Sequence, residues 1–329
     1  MPGPFVLRID PVIGEVGGLY LWWYGLSYTL GFLGLHLWFR RVASQLKLSV
    51  LDVYDFSLYL IVGVLIGGRL VEVFFFEWSF YQDHLYYIPF YWLGGMSSHG
   101  LLTGAVISTW LFCRRYGKSF LAMADELVIP GAWFMGTGRI GNFIDGQIVG
   151  AATDVWWGVQ FPDVEGFRHP VVLYDGLKNL LLIPFFLLIR NSRPARGILM
   201  AHFLFWYAFL RLFVDVFREY RVSVFEIGTG QIINILMALT GLLLFFWFSY
   251  RKRPEEDETE RRAGTIPGEP VPPVGLWARR VVLALLLFFC LTMPSDWTQD
   301  VPARYGERHP GLEYSALYPR IPVADSSGE

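Results

Sequence analysis

Seven stretches of the chain stay apolar for roughly the 20 residues that a bilayer crossing needs: 18–39, 56–76, 93–113, 120–137, 170–189, 198–217 and 229–250. Each predicts a transmembrane helix. The loops between them alternate in charge. One set carries Arg40, Arg41 and Lys47, then Arg114, Arg115 and Lys118, then Arg190, Arg193 and Arg196, then Arg251, Lys252 and Arg253; the other carries only Arg8, Arg168, Arg218 and Arg221. Short cytoplasmic loops collect Lys and Arg, so the N-terminus is expected outside and the end of the seventh helix inside. Residues 77–92 place an aromatic at nearly every second position, which predicts a segment lying along the outer headgroups, where Tyr and Trp gather. A second outer segment, 151–168, carries Trp156, Trp157, Phe161 and Phe167 and is expected to form a cap or docking surface.

The pattern changes after Arg253. Residues 254–273 are acidic, then rich in Pro and Gly, and such a stretch cannot bury enough apolar area to fold. It is expected to be a disordered cytoplasmic linker. Residues 274–293 contain the apolar run Val281–Met293 after Arg279 and Arg280 and predict an extra transmembrane helix, with an interfacial helix as the alternative. Residues 294–329 follow as a polar tail. The fold class is therefore an all-α polytopic membrane protein, with seven core transmembrane helices in a 1–253 membrane domain and an eighth C-terminal span.

Composition agrees with this reading. In 329 residues a hydrophobic fraction of 54% and a mean hydropathy of +0.40 exclude an ordinary soluble domain. The net charge of −2 points to no nucleic-acid partner. Cys113 and Cys290 are the two cysteines; they fall near opposite membrane faces and provide no disulfide framework. No basic n-region precedes the first apolar run, and no small-residue cleavage pattern follows it, so an uncleaved first span is expected.

Polar residues inside these apolar runs carry the chemistry. An arginine at the bilayer centre costs about 2.5–3.5 kcal/mol on an insertion scale, so Arg139 must face protein or water. Five glycines fall within residues 136–150, and they predict a broken, looped segment lining an internal polar site. Residues 136–141 also spell GxGxxG, but that fingerprint has meaning only between a strand and a helix of a soluble unit. Arg211, Asp215 and Arg218 share one helix face, and a second buried arginine facing Arg139 would form a double cationic clamp suited to phosphate. His99 sits among glycines and hydroxyls; imidazole, with an ordinary pKa of about 6.5, can take and return a proton at neutral pH. His169-Pro170 opens the fifth predicted helix, with Tyr174 and Asp175 one turn on, where capping and substrate contact both remain open. Gly63 and Gly67 set a close helix approach, and Arg69 with Glu72 is expected to be a neutralising pair. His99 and His169 lack a third ligand at any usual spacing, so no metal is expected, and no cofactor motif appears.

WYG at 23–25, GGMSSHG at 94–100, GRIGNF at 138–143, HP followed by LYD at 169–175, and RLFVDVFRE at 211–219 together resemble the motifs of prolipoprotein diacylglyceryl transferases, in that family's order. The resemblance covers roughly residues 8–250. It implies a bacterial inner-membrane enzyme without cofactor that moves the diacylglyceryl group of phosphatidylglycerol onto the lipobox cysteine thiol of a prolipoprotein signal peptide, forming a thioether and releasing glycerol phosphate. It implies His99, Arg139 and Arg211 as catalytic residues. Tyr24, Asn142, Asp145, Gln147, Gly150, His169 and Asp215 are expected to bind substrate. Two departures stand out. The family pattern N-F-x-N-x-E is here Asn142-Phe143-Ile144-Asp145-Gly146-Gln147, which moves the carboxylate from position 147 to 145, and Leu101 follows His99-Gly100 where the family has a second glycine. An alternative reading is therefore a non-catalytic relative that binds phospholipid or lipoprotein signal peptide. A transporter would need broken helices repeated in two halves, which the chain lacks. Because the resemblance stops near residue 250, a chain ending at Arg253 is expected to keep an active core.

Overall fold

The computed structural model describes residues 5–162, 164–218, 223–224, 227–250, 273–298 and 301–320. Residues 254–272 of the expected 254–273 linker, Glu219, Arg221, the basic run 251–253 and the end of the tail from 321 lie outside the described residues. The chain is mostly helical: α1 Trp23–Val42, α2 Val50–Val71, the single turn α3 Trp78–Tyr81, α4 Ser98–Tyr116, α5 Phe120–Asp145, α6 Val171–Asn191, α7 Ile198–Asp215, α8 Thr229–Tyr250, α9 Pro273–Leu291 and α10 Val301–Arg308. Among the described residues four helices are long and apolar enough to cross a membrane by length and composition: α2 with its extension to Phe76, α6, α7, and α8 from Gly230. The helices α1, α4, α5 and α9 have similar length, but glycines, hydroxyls and charges dilute their hydropathy.

Local signals set the helix ends. Ser49 and Asp52 form a reciprocal cap at the start of α2, with Asp52 N–H donating to Ser49 Oγ at 3.1 Å and Ser49 N–H to Asp52 Oδ2 at 2.9 Å, which satisfies two otherwise orphaned donors. The helix α5 starts on Ser119 and stops at Gly146, whose φ of 77° is a conformation glycine adopts without steric cost.

Helices pair α1 with α5, α2 with α4, α5 with α6 and α7 with α8, while α9 lies against α1 and α2. At Gly67 an added Cβ would stand 2.5 Å from Gly100 O, and at Gly63 it would stand 2.5 Å from Ser108 Cβ; these two glycines let α2 and α4 meet backbone to backbone.

Short strands decorate the end of the bundle where α5 stops. Strands β2 Val12–Val16 and β3 Leu19–Trp22 form an antiparallel hairpin, and β1 Phe5–Val6 pairs in parallel with β4 Val159–Gln160. A separate aromatic core covers this end. Trp22, Tyr81, Leu93, Trp297, Tyr305 and Tyr318 are fully buried there. The segment 77–92, expected to lie flat along headgroups, therefore turns partly inward: Tyr81 is buried while Trp78 and Tyr86 stay exposed. Trp156 and Trp157 are exposed and Phe161 is buried.

Arg69 is fully buried and does not pair with Glu72. Its guanidinium donates instead to backbone carbonyls of the 87–95 loop: Tyr87 at 2.8 Å, Ile88 at 3.0 Å, and Gly94. Arginine has five donors and no acceptor, so a loop that turns its carbonyls inward can satisfy it without a carboxylate. At the opposite end the bundle is tied by Arg190 to Glu126 at 3.0 Å, and by Arg279 of α9 to Asp55 of α2 at 2.5 Å.

Candidate active site

The segment 136–145 is a continuous helix, not the loop its glycines predict. A helix keeps every backbone hydrogen bond internal, which an apolar surrounding rewards, and Gly141 serves close approach: a Cβ there would lie 2.7 Å from Tyr24 Cα on α1. The last turns of α5 thus present Arg139, Asn142 and Asp145 on successive helical turns, all buried.

Arg139 reaches α6. Its Nε lies 2.7 Å from Asp175 Oδ2, its Nη2 donates to Ser98 Oγ at 3.0 Å, and its Nη1 donates to Asn142 Oδ1 at 3.3 Å. Arg211 of α7 places Nη1 on the same Asp175 oxygen. Lys178 Nζ takes the other oxygen at 3.1 Å, donates to Asn179 Oδ1 at 2.8 Å, and lies 4.1 Å from the Tyr207 ring centroid. Arg211 Nε also meets Asp215 Oδ1 at 3.1 Å, and Asn234 Nδ2 donates to Asp215 Oδ2 at 3.3 Å. The two arginines therefore converge from different helices, with Asp175 between them. Among the described residues the cations Arg139, Arg211 and Lys178 face the carboxylates Asp175 and Asp215.

The remaining expected residues fall into three groups. His99 opens α4 one residue after Ser98, near enough for the charges of Arg211, Arg139 and Asp215 to act on it, and its imidazole makes no hydrogen bond among the described residues. Tyr24 is buried across from Gly141 and shares a hydrogen bond of 2.9 Å with Tyr28. Gly150 and His169 form a second patch, where Gly150 bridges to Arg218 and His169 Nδ1 sits 3.0 Å from Tyr174 OH. His169 also packs on Phe217, and its contacts are there rather than with the guanidinium pair. Asp145 and Gln147 turn away from the arginines to the segment after α9: Asp145 Oδ2 accepts from Ser295 N at 2.8 Å and from Tyr305 OH at 3.3 Å, and Gln147 Oε1 accepts from Ser295 Oγ at 2.6 Å.

The family model for prolipoprotein diacylglyceryl transferase matches residues 11–247, which contain both arginines, Asp175 and His99. The chain belongs to the prolipoprotein diacylglyceryl transferase family. It is 36% identical over 253 residues to the phosphatidylglycerol–prolipoprotein diacylglyceryl transferase of Legionella pneumophila (strain Corby), covering 74% of this chain and 98% of that protein. The similarly named protein of Geobacter sulfurreducens is 36% identical over 254 residues, 74% of this chain and 97% of the relative. That of Nitrosospira multiformis is 35% identical over 256 residues, 74% and 88%.

In this diacylglyceryl transferase family member, reading by sequence missed several groups at the centre of the cluster. Asp175 is expected either to cap a helix or to contact substrate, not to pair with the arginines, and Lys178, Ser98 and Tyr207 are not singled out. The signal was present for Lys178 and Asn179: they stand three and four residues after Asp175 on the same face of an apolar helix, and the membrane-depth argument that selects Arg139 applies to them equally. Ser295 and Tyr305 carry no such signal, because they lie beyond the family match in a segment of polar average composition.

Proposed function

We propose that the protein transfers the diacylglyceryl group of phosphatidylglycerol to the lipobox cysteine thiol of a prolipoprotein signal peptide. The observation that carries this reading is the pair of guanidinium groups of Arg139 and Arg211 on one carboxylate oxygen of Asp175. A phosphodiester carries one negative charge. Guanidinium forks suit phosphate oxygens, so the lipid phosphate competes with Asp175 for the same donors.

In the reaction the cysteine sulfur attacks the glycerol carbon that bears the phosphate. A C–S bond forms as that carbon's bond to the phosphate oxygen breaks, and glycerol phosphate leaves with the electron pair. Negative charge grows on the leaving phosphate, and preorganised donors placed where charge develops lower such a barrier; Arg139 and Arg211 supply them. His99 accepts the thiol proton, since the thiolate is the nucleophile. Tyr24, Asn142, Gly150, His169 and Asp215 hold substrate, while Asp145 and Gln147, both expected from the sequence to bind substrate, act through the segment they anchor.

This reading places the protein in the bacterial cytoplasmic membrane, with α1, α2 and α4 to α9 all crossing, the N-terminus outside, and the α5 C-terminus near the outer leaflet. The excess of Lys and Arg in the opposite loops supports that orientation. The test uses purified protein in detergent with phosphatidylglycerol and a lipobox peptide, followed by mass spectrometry. A diacylglyceryl adduct on the cysteine is expected. Lipid retained by the protein with no adduct on the peptide would select the binding-only relative instead.

A further inference from the structure

The segment after α9 lies outside the family match, which ends at residue 247, yet it reaches the centre of the site through one residue. Every polar group of Ser295 is used. Its N–H donates to Asp145 Oδ2 at 2.8 Å, and its C=O accepts from Gly95 N at 2.9 Å. Its hydroxyl accepts from Asn142 Nδ2 at 2.7 Å and donates to Gln147 Oε1 at 2.6 Å. Ser295 thus ties the last turn of α5 to the loop that leads into Ser98 and His99.

The direction of these bonds is forced from one end. A guanidinium has only donors, so Asn142 must turn its Oδ1 to Arg139 Nη1 and its Nδ2 to Ser295. The Ser295 oxygen must then accept, which leaves its proton for Gln147 Oε1. We propose that Ser295 is a positioning residue for the transfer reaction, supplied by the C-terminal extension, and that the chain Gln147–Ser295–Asn142 fixes the Asn142 amide and through it the Arg139 guanidinium. The extension is anchored for this task by groups on both sides of Ser295. Trp297 N–H donates to Leu93 O at 2.7 Å, and Arg308 caps the C-terminal carbonyls of α5 at Ile144 and Asp145, the latter at 2.8 Å. Trp297, Tyr305 and Tyr318 are fully buried in the aromatic core. The side chain at 147 accepts from Ser295 through an oxygen that glutamate also has, whereas an aspartate at 142 has no donor for Ser295.

This inference rests on the transferase reading, so its test has two readouts on the full-length protein: turnover, and affinity for phosphatidylglycerol by native mass spectrometry. Ser295→Ala leaves the Asn142 donor buried without a partner, and is expected to lower kcat/KM and weaken lipid affinity about tenfold. Ser295→Thr restores the hydroxyl and is expected to return both to within about twofold. Gln147→Glu should be near neutral, and Ser295→Ala should add nothing further in an Asn142→Ala background. Unchanged turnover and affinity in Ser295→Ala would overturn the proposal, as would equal losses in Ser295→Ala and Ser295→Thr or full additivity with Asn142→Ala. Absence of turnover in the unaltered chain would instead refute the transferase reading, and the lipid affinities of the same variants would still decide the role of Ser295.

Discussion

Arg139 on α5 and Arg211 on α7 meet on one oxygen of Asp175, a carboxylate with no solvent exposure. Two guanidinium groups this close repel each other unless an anion lies between them. Asp175 fills that place, and its charge is what allows two arginines to be stored side by side inside the bundle.

Replacing Asp175 with Asn should therefore lower stability and activity together. Removing one partner of a buried ion pair costs about 3–5 kcal/mol, because the remaining charges stay buried without compensation. Thermal unfolding of the detergent-solubilised variant should show the loss, and added phosphatidylglycerol should recover part of it by supplying a replacement anion.

Arg139→Ala should reduce transfer by about 100-fold or more, the cost of losing one preorganised donor at developing charge, while membrane insertion stays normal. Arg139→Lys should not rescue it: one ammonium cannot reproduce a fork that bonds Asp175, Asn142 and Ser98 at once. Adduct formation on the lipobox peptide, normalised to inserted protein, measures both.

A chain ending at Arg253 should insert but turn over at least about 100-fold more slowly than the full chain, the reverse of what the extent of the family resemblance predicts. Truncation removes both partners of the Asp145 carboxylate and uncovers Trp22 and Tyr81, which the tail aromatics bury. Full activity in the membrane-inserted truncated protein would show that the extension is dispensable.

Tail docking should weaken as pH rises. Burial pushes the Asp296 carboxyl above the ordinary carboxylate range, and its neighbours are Thr298, Glu77, Glu72, Arg69 and Tyr305. A carboxyl whose pKa is raised in the docked state stabilises that state through its neutral form. The contribution is complete below the free value of about 3.9 and is lost as pH passes upward through the docked value. Limited proteolysis of residues 301–320 should accelerate several-fold between acidic and alkaline pH, after correction for protease activity on a control peptide, and Asp296→Asn should reduce that dependence, leaving the part due to other tail contacts such as His309 with Asp10.

The sequence by itself determined that the chain is built from long apolar helices and that Arg139 and Arg211 are charges buried among them. The reason is energetic: a charge at membrane depth is too costly to be incidental, so its presence in an apolar run is legible without coordinates. Helical spacing likewise put Arg211 and Asp215 together, and the two arginines do converge. The glycines of 136–150 misled in one respect, because a glycine signals either a break or a close approach, and only the position of Tyr24 against Gly141 decides between them. Asp175 as the shared partner, the outward turn of Asp145 and Gln147, and the burial of Trp297, Tyr305 and Tyr318 were decided by tertiary structure alone. Local pattern fixes which way a side chain points along its own helix, whereas burial and pairing depend on what another part of the chain brings to that face, and here the part that matters begins more than one hundred residues later.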